Sequence, residues 1–110
     1  MNDLPRTIVA VATAQAGKEA ELKRRIEGVA RASWDEPGVL TYAVHELEDQ
    51  PGRFMMVEVY KSDAAFQSHL DSDHVTAFIA DWPDLVTHDL EVFEGKAASF
   101  AEGEKGLLRH

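Results

Sequence analysis

Phe54 to Val75, FMMVEVYKSDAAFQSHLDSDHV, is the stretch whose reading decides the fold. Phe54 to Tyr60 is rich in β-branched and aromatic residues and follows the turn signal Asp49-Gln50-Pro51-Gly52, so a strand is expected there. Side chains alternate along a strand, which puts Phe54, Met56, Glu58 and Tyr60 on one face and Met55, Val57 and Val59 on the other. Both faces are therefore largely apolar, and one carboxylate, Glu58, interrupts one of them. Ser62 stands where a helix N-cap is wanted, with Asp63 suited to the positive helix start. The helix from Asp63 carries Phe66, His69 and Leu70. Ser72-Asp73 reads as a second cap, just before His74.

Working outward, Thr7 to Thr13 (TIVAVAT) is a continuous apolar run of strand length. From Lys18 to Trp34, Leu22, Ile26, Val29, Ala30 and Ser33 recur at helical spacing with charged residues between them. Gly28 costs that helix roughly 1 kcal/mol relative to Ala, which suggests close packing at this point. Pro37-Gly38 ends it. Val39 to Glu48 is a second strand, joined to the Phe54 strand as a hairpin. Helical pattern continues from His74 through Phe78 and Ile79 to Trp82, where Pro83 is expected to stop it. Leu85 to Phe93 alternates and reads as a fourth strand, with Val86, His88, Leu90 and Val92 on one side. Residues 1–6 form an N-terminal tail, 7–94 the domain, and 95–110 a tail or arm, with Phe100 and Leu107 as candidate anchors.

The resulting order, β-α-β-β-α-β, is the ferredoxin-like α+β arrangement: a four-stranded antiparallel sheet with its helices on one face. Two helical layers leave the other face bare, yet the first and third strands are apolar on both. An uncovered face of that kind exceeds what monomers usually show. A homodimer is expected, with Val9, Val11, Met55, Val57 and Val59 toward the partner sheet and Glu58 under the helices beside His69.

Composition narrows the function. The chain has 110 residues, 45% of them hydrophobic, and a formal net charge of -9. That suits one globular domain and disfavours nucleic acid or an anionic membrane, because phosphate recognition needs clustered Lys and Arg. There is no cysteine, which removes disulfides and thiolate metal sites. No apolar run is long enough to span a bilayer and the N-terminus lacks a signal-peptide pattern, so a cytoplasmic location is expected. Hydrolase and nucleotide-binding motifs such as G-x-S-x-G or a Gly-rich phosphate loop are missing from the sequence.

Glu58 and His69 are the candidate catalytic pair, since imidazole titrates near neutral pH and a mid-strand carboxylate needs a partner. A bridge between helix and strand would explain the same residues structurally. His74 is read as lining a pocket mouth. Its separation from His69 is five residues, not the four that places two ligands on one helical face, so no metal is expected. Phe54, Met56, Tyr60, Phe66, Phe78 and Trp82 are core residues by spacing, some of which must line any apolar pocket. His45 and His88 are left unassigned, and Arg109 and His110 end the tail.

The run Pro37-Gly38-Val39-Leu40-x-Tyr42, followed by Arg53-Phe54-x-x-x-Glu58-x-Tyr60-x-Ser62-x-x-Ala65-Phe66-x-x-His69-x-x-Ser72-x-His74, resembles the antibiotic biosynthesis monooxygenase family of the dimeric α+β barrel superfamily. The resemblance covers residues 7 to 94. It implies two ferredoxin-like chains packed sheet on sheet, each with a pocket between its own sheet and helices. Activities across the superfamily include cofactor-free oxygenation of quinols and polycyclic aromatics, haem degradation and isomerisation of a phosphorylated sugar derivative. The haem branch fits poorly: the first strand has no Asn, its helical Trp matches His69, and its iron ligand falls near Ile79. What the resemblance implies is a cofactor-independent monooxygenase acting on a small aromatic substrate, with an isomerase or a non-catalytic binding module as the alternatives.

Overall fold

The alternation read in the Phe54 strand is the one that organises the molecule. The computed structural model describes residues 4–87 and 90–98. In chain order the elements are β1 (Arg6–Thr13), α1 (Glu19–Ser33), β2 (Val39–Glu46), β3 (Arg53–Tyr60), α2 (Asp63–Leu70), α3 (Asp73–Leu85) and β4 (Glu91–Lys96). The strands form one sheet in the order β2-β3-β1-β4, every neighbouring pair antiparallel. This is the expected ferredoxin-like α+β fold, with the second helical layer broken into α2 and α3.

Register explains where the core sits. Ile8, Ala10 and Ala12 of β1 stand opposite Glu58, Met56 and Phe54 of β3, and all six are buried. Leu22, Ile26, Val29 and Ala30 of α1 and Val75, Phe78 and Leu85 of α3 close over that face. The small side chains of β1 leave room for larger ones from β3 and the helices. On the opposite face Val9 stands between Val57 and Phe93. Val9 and Val57 are half-buried and Phe93 is 63% exposed, while Val11 and Val59 are buried within the chain itself.

Four local expectations need correction. Pro83 does not stop α3, which runs on to Leu85. Gln15 makes this possible: its side-chain amide donates to the carbonyls of Pro83 (2.6 Å) and Val86 (3.1 Å), and its backbone N–H donates to Leu85 (2.9 Å). Carbonyls at a helix end need such partners, and burial of Leu85 supplies the apolar anchor. The fourth strand consequently begins at Glu91 instead of Leu85, with Val86 making only an isolated bridge to Ala14. It also extends to Lys96, which pairs with Arg6.

Gly28 marks no close packing, because a Cβ there would meet nothing within 4 Å. Tight approaches are at Gly38 and Gly52, where a Cβ would lie 2.4 Å from the Cβ of Ala65 and from the Cγ of Glu19 respectively. Ser62 caps α2 as expected, accepting from the Ala65 N–H at 3.1 Å. Ser72 does not cap α3 with its side chain; its hydroxyl turns back and donates to the His69 carbonyl at 2.7 Å. The expectations for His88, Phe100, Leu107, Arg109 and His110 lie outside the described residues.

Candidate active site

A cavity of about 430 Å³ lies between the sheet and α2 and α3. Its floor comes from β1 and β3, through Ile8, Ala10, Met56 and Glu58, and its far wall from Phe66, Val75, Phe78 and Trp82. Ile79, Leu90 and Val92 also line it and are 54%, 40% and 46% exposed, which places its mouth between α3 and β4. Three polar side chains reach this apolar space: Glu58, His69 and Tyr42.

His69 sits in the last turn of α2 and is buried. Its ring lies between those of Tyr42 (centroids 5.6 Å apart) and Tyr60 (5.1 Å). Nδ1 is 3.0 Å from Oε2 of Glu36, a residue in the turn after α1. Nε2 has no hydrogen-bond partner among the described residues, yet it is not sealed off: the one buried, unpartnered side-chain nitrogen or oxygen there is Nε of Arg6. With the ring lining the cavity, Nε2 is the atom His69 presents to a ligand. Burial lowers its pKa below the ordinary 6.5, and the charge of His74 acts the same way. Together they outweigh the hydrogen bond and charge of Glu36 that raise it. At neutral pH the ring is uncharged, with Nδ1–H held by the carboxylate and the Nε2 lone pair free.

Glu58 does not orient His69. Its Oε1 accepts from the Tyr60 hydroxyl at 2.5 Å, and the carboxylate that fixes His69 is Glu36. Burial pushes the Glu58 pKa up to about 7, against the lowering effect of the Tyr60 hydrogen bond. Glu58 is thus a carboxyl that holds a proton near neutrality, inside the cavity. The Tyr42 hydroxyl is pushed above its ordinary value by burial first, then by the charges of Glu58 and Glu36, and stays protonated.

His74 does not reach the cavity lining. The break between α2 and α3 turns it back so that Nε2 lies 2.7 Å from the same Glu36 oxygen. The five-residue separation that argued against joint action of His69 and His74 is overcome by this break. Glu36, His69 and His74 present three ligand-type atoms within 4.8 Å of one another, the set that could hold a metal among the described residues. Of the apolar residues proposed for a pocket, Met56, Phe66, Phe78 and Trp82 line it, whereas Phe54 and Tyr60 are core, at 1% and 0% exposure. His45 is exposed.

Sequence reasoning missed Glu36 and Tyr42. The signal available was the run Glu36-Pro37-Gly38-Val39-Leu40-x-Tyr42: a carboxylate fixed by a turn, followed by an aromatic on the helix-facing side of β2.

The profile of the antibiotic biosynthesis monooxygenase family matches residues 5–81, and the chain belongs to that family. The structure is similar to that of a candidate antibiotic biosynthesis monooxygenase from Deinococcus radiodurans, with 30% identity, TM-score 0.79, and 86% of this chain and 94% of that one covered. It is also similar in fold to PA3566 from Pseudomonas aeruginosa (24% identity, TM-score 0.83, 90% and 99% covered) and to Rv0793 from Mycobacterium tuberculosis (22%, 0.81, 88% and 98%). An uncharacterized Synechocystis protein, sll1783, is 30% identical over 60 residues, which are 54% of this chain and 41% of that protein. No helix of the described residues is long and apolar enough to cross a membrane.

Proposed function

We propose that the protein is a cofactor-independent monooxygenase that oxidises a quinol or a phenolic polycyclic aromatic with O2. The observation that carries this reading is the neutral His69, held at Nδ1 by Glu36, with its free Nε2 lone pair in an apolar cavity. Such a ring removes a phenolic proton by general base catalysis, and the dry walls leave the resulting anion electron-rich. The anion passes an electron to O2, and the two radicals combine at a ring carbon to give a peroxide. Loss of water then completes the balance: quinol plus O2 gives hydroxyquinone plus water, with every electron supplied by the substrate. Protonated Glu58 and Tyr42 are the donors available to the oxygen atoms as charge builds on them.

The face of the sheet that no helix of the described residues covers belongs to the same reading. Val9, Met55, Val57 and Phe93 are covered by the sheet of a second copy, making a homodimer of two separate pockets.

The test is oxygen uptake on a panel of quinols and hydroxylated polycyclic aromatics, with product analysis in air and under nitrogen. Product formed only in air, with one O2 consumed per hydroxyquinone, is the expected result. Product formed equally under nitrogen assigns the same His69 to an isomerase, and tight binding of an aromatic without turnover leaves a ligand-sequestering module.

A further inference from the structure

Behind His69, on the side away from the cavity, the donor atoms around Glu36 are rich in lone pairs and poor in hydrogens. Oε2 of Glu36 contacts Nδ1 of His69 at 3.0 Å and Nε2 of His74 at 2.7 Å. Nε2 of His74 also has the hydroxyl oxygens of Ser72 at 3.3 Å and Ser33 at 3.5 Å. Neither hydroxyl gives it a hydrogen: Ser72 donates to the His69 carbonyl and Ser33 to the Val29 carbonyl, both at 2.7 Å. Three oxygen acceptors therefore converge on one imidazole N–H. Among the described residues, Glu36 is paired with no Lys or Arg, only with the two histidines.

We infer that Glu36, His69 and His74 form a binding site for a divalent first-row transition ion such as Zn2+, and that the ion locks His69 in the tautomer unable to act as a base. The ligand set is two imidazoles and one carboxylate, a borderline set that suits Zn2+ and its neighbours over the all-oxygen sites of Mg2+ and Ca2+. In a tetrahedral shell, Zn–N and Zn–O bonds of about 2.0–2.2 Å place ligand atoms about 3.3–3.6 Å apart. The contacts to Oε2, at 3.0 and 2.7 Å, open by roughly 0.3–0.9 Å to reach that spacing, and all three ligand atoms already lie within 4.8 Å of one another. Ligation needs a lone pair on the contacting nitrogen, so each bound imidazole carries its hydrogen on the other ring nitrogen, and the ion compensates the charge of Glu36.

The ion does not open onto the substrate space. His69 lines the cavity, but Glu36 and His74 do not. With Nδ1 on the metal, His69 carries its hydrogen at Nε2 and points a donor into the cavity where a base is needed. The site is thus a brake on the proposed chemistry. That last step rests on the reading of His69 as base, whereas binding itself does not.

Untagged, chelator-stripped protein titrated with Zn2+ by calorimetry, and with Co2+ by visible absorption, tests binding without any substrate. One ion per chain is expected. Removing a ligand should weaken binding at least about tenfold in Glu36→Gln and in His74→Ala. His45→Ala, on the exposed part of β2, should change nothing. Circular dichroism establishes that each variant is folded, and His74, the most exposed ligand at 25%, is the arm least exposed to misfolding. Nitrogen-15 spectra of the imidazoles should show His69 converting from the Nδ1–H to the Nε2–H form as Zn2+ is added. The site is overturned by no stoichiometric binding, by full affinity in folded His74→Ala, or by loss of affinity in His45→Ala. Binding that leaves the His69 tautomer unchanged overturns the brake. Should Zn2+ bind as described while the metal-free protein oxidises no quinol, the oxygenase reading fails and the metal site stands.

Discussion

The two faces of the sheet are built from the same strands, residue by residue in alternation, and have opposite fates. On one face Ile8, Ala10, Ala12, Phe54 and Met56 are covered by α1 and α3, and a cavity with three polar groups remains among them. On the other, Val9, Val57 and Phe93 pair with one another across the sheet, and among the described residues the helices pack on the opposite face. A face that a chain covers by itself can hold a buried Glu58, because its own Tyr60 meets the carboxyl. A face left for another surface has to be plain, since any charge there is stranded when it closes. In the proposed reading, position along a strand thus separates chemistry from assembly by a single residue, Glu58 from Val57.

The sharpest way to break this contrast is to move a charge across it. Val57→Lys places an ammonium in the proposed seam between two sheets. An unpaired buried charge costs several kcal/mol, large beside a domain stability of roughly 5–15 kcal/mol. Light scattering and circular dichroism should show dissociation with extensive unfolding. A well-folded, monodisperse monomer would falsify the dimer.

Next in size are the polar groups of the helix-covered face. If His69 is the base, His69→Gln should lower kcat/KM on the true quinol by about 10²–10⁴-fold. Glu36→Gln, which keeps shape but loses the charge on Nδ1–H, should cost about tenfold or more. Full activity in the Glu36 variant beside a crippled Glu58→Gln would return the orienting role to Glu58.

Glu58 also makes a pH prediction. Folded, it keeps its proton up to about pH 7; its ordinary pKa, and so that of the unfolded chain, is 4.5. Between these values the unfolded state alone ionises, so Glu58 costs stability progressively as pH rises through the window, and the cost is complete above about pH 7. The raised pKa corresponds to about 3 kcal/mol. Urea unfolding at pH 4 and pH 8 should show Glu58→Gln gaining about that much over the wild type at the higher pH. A gain independent of pH would show that the carboxyl is not held protonated by the fold.

The smallest effect belongs to the outer side of α1, which neither face uses. Gly28→Ala fills open space and removes a helix-interior glycine, and should stabilise by about 1 kcal/mol in the same assay. Destabilisation there would reveal a contact made only in an assembly.

The strands β1, β2 and β3, helix α1 and the cap of α2 were legible because each is a local pattern: alternation, helical spacing, or a Ser before an acidic helix start. His69 and Glu58 were legible as candidates because ionisable groups interrupt apolar runs. The end of α3 was misread because Pro83 is a local stop signal, and what overrides it is Gln15, distant in sequence. The start of β4 moved with it. Ser72 was read as a cap from its position, but its hydroxyl is spent on the preceding helix.

By itself, then, the sequence determined which face the residues of β1 and β3 take, and with it the sheet, the helices above it and the placement of Glu58 on the face opposite Val57. These follow from backbone periods of two and 3.6 residues, which act over one element at a time. Only the tertiary structure decided the partner of His69. The Glu36 contacts to His69 and His74 span 33 and 38 residues, and nothing periodic relates their positions. Those contacts exist because the turn after α1 and the break between α2 and α3 meet at one end of the sheet. The geometry of that meeting gives His69 a carboxylate on one nitrogen and the cavity on the other.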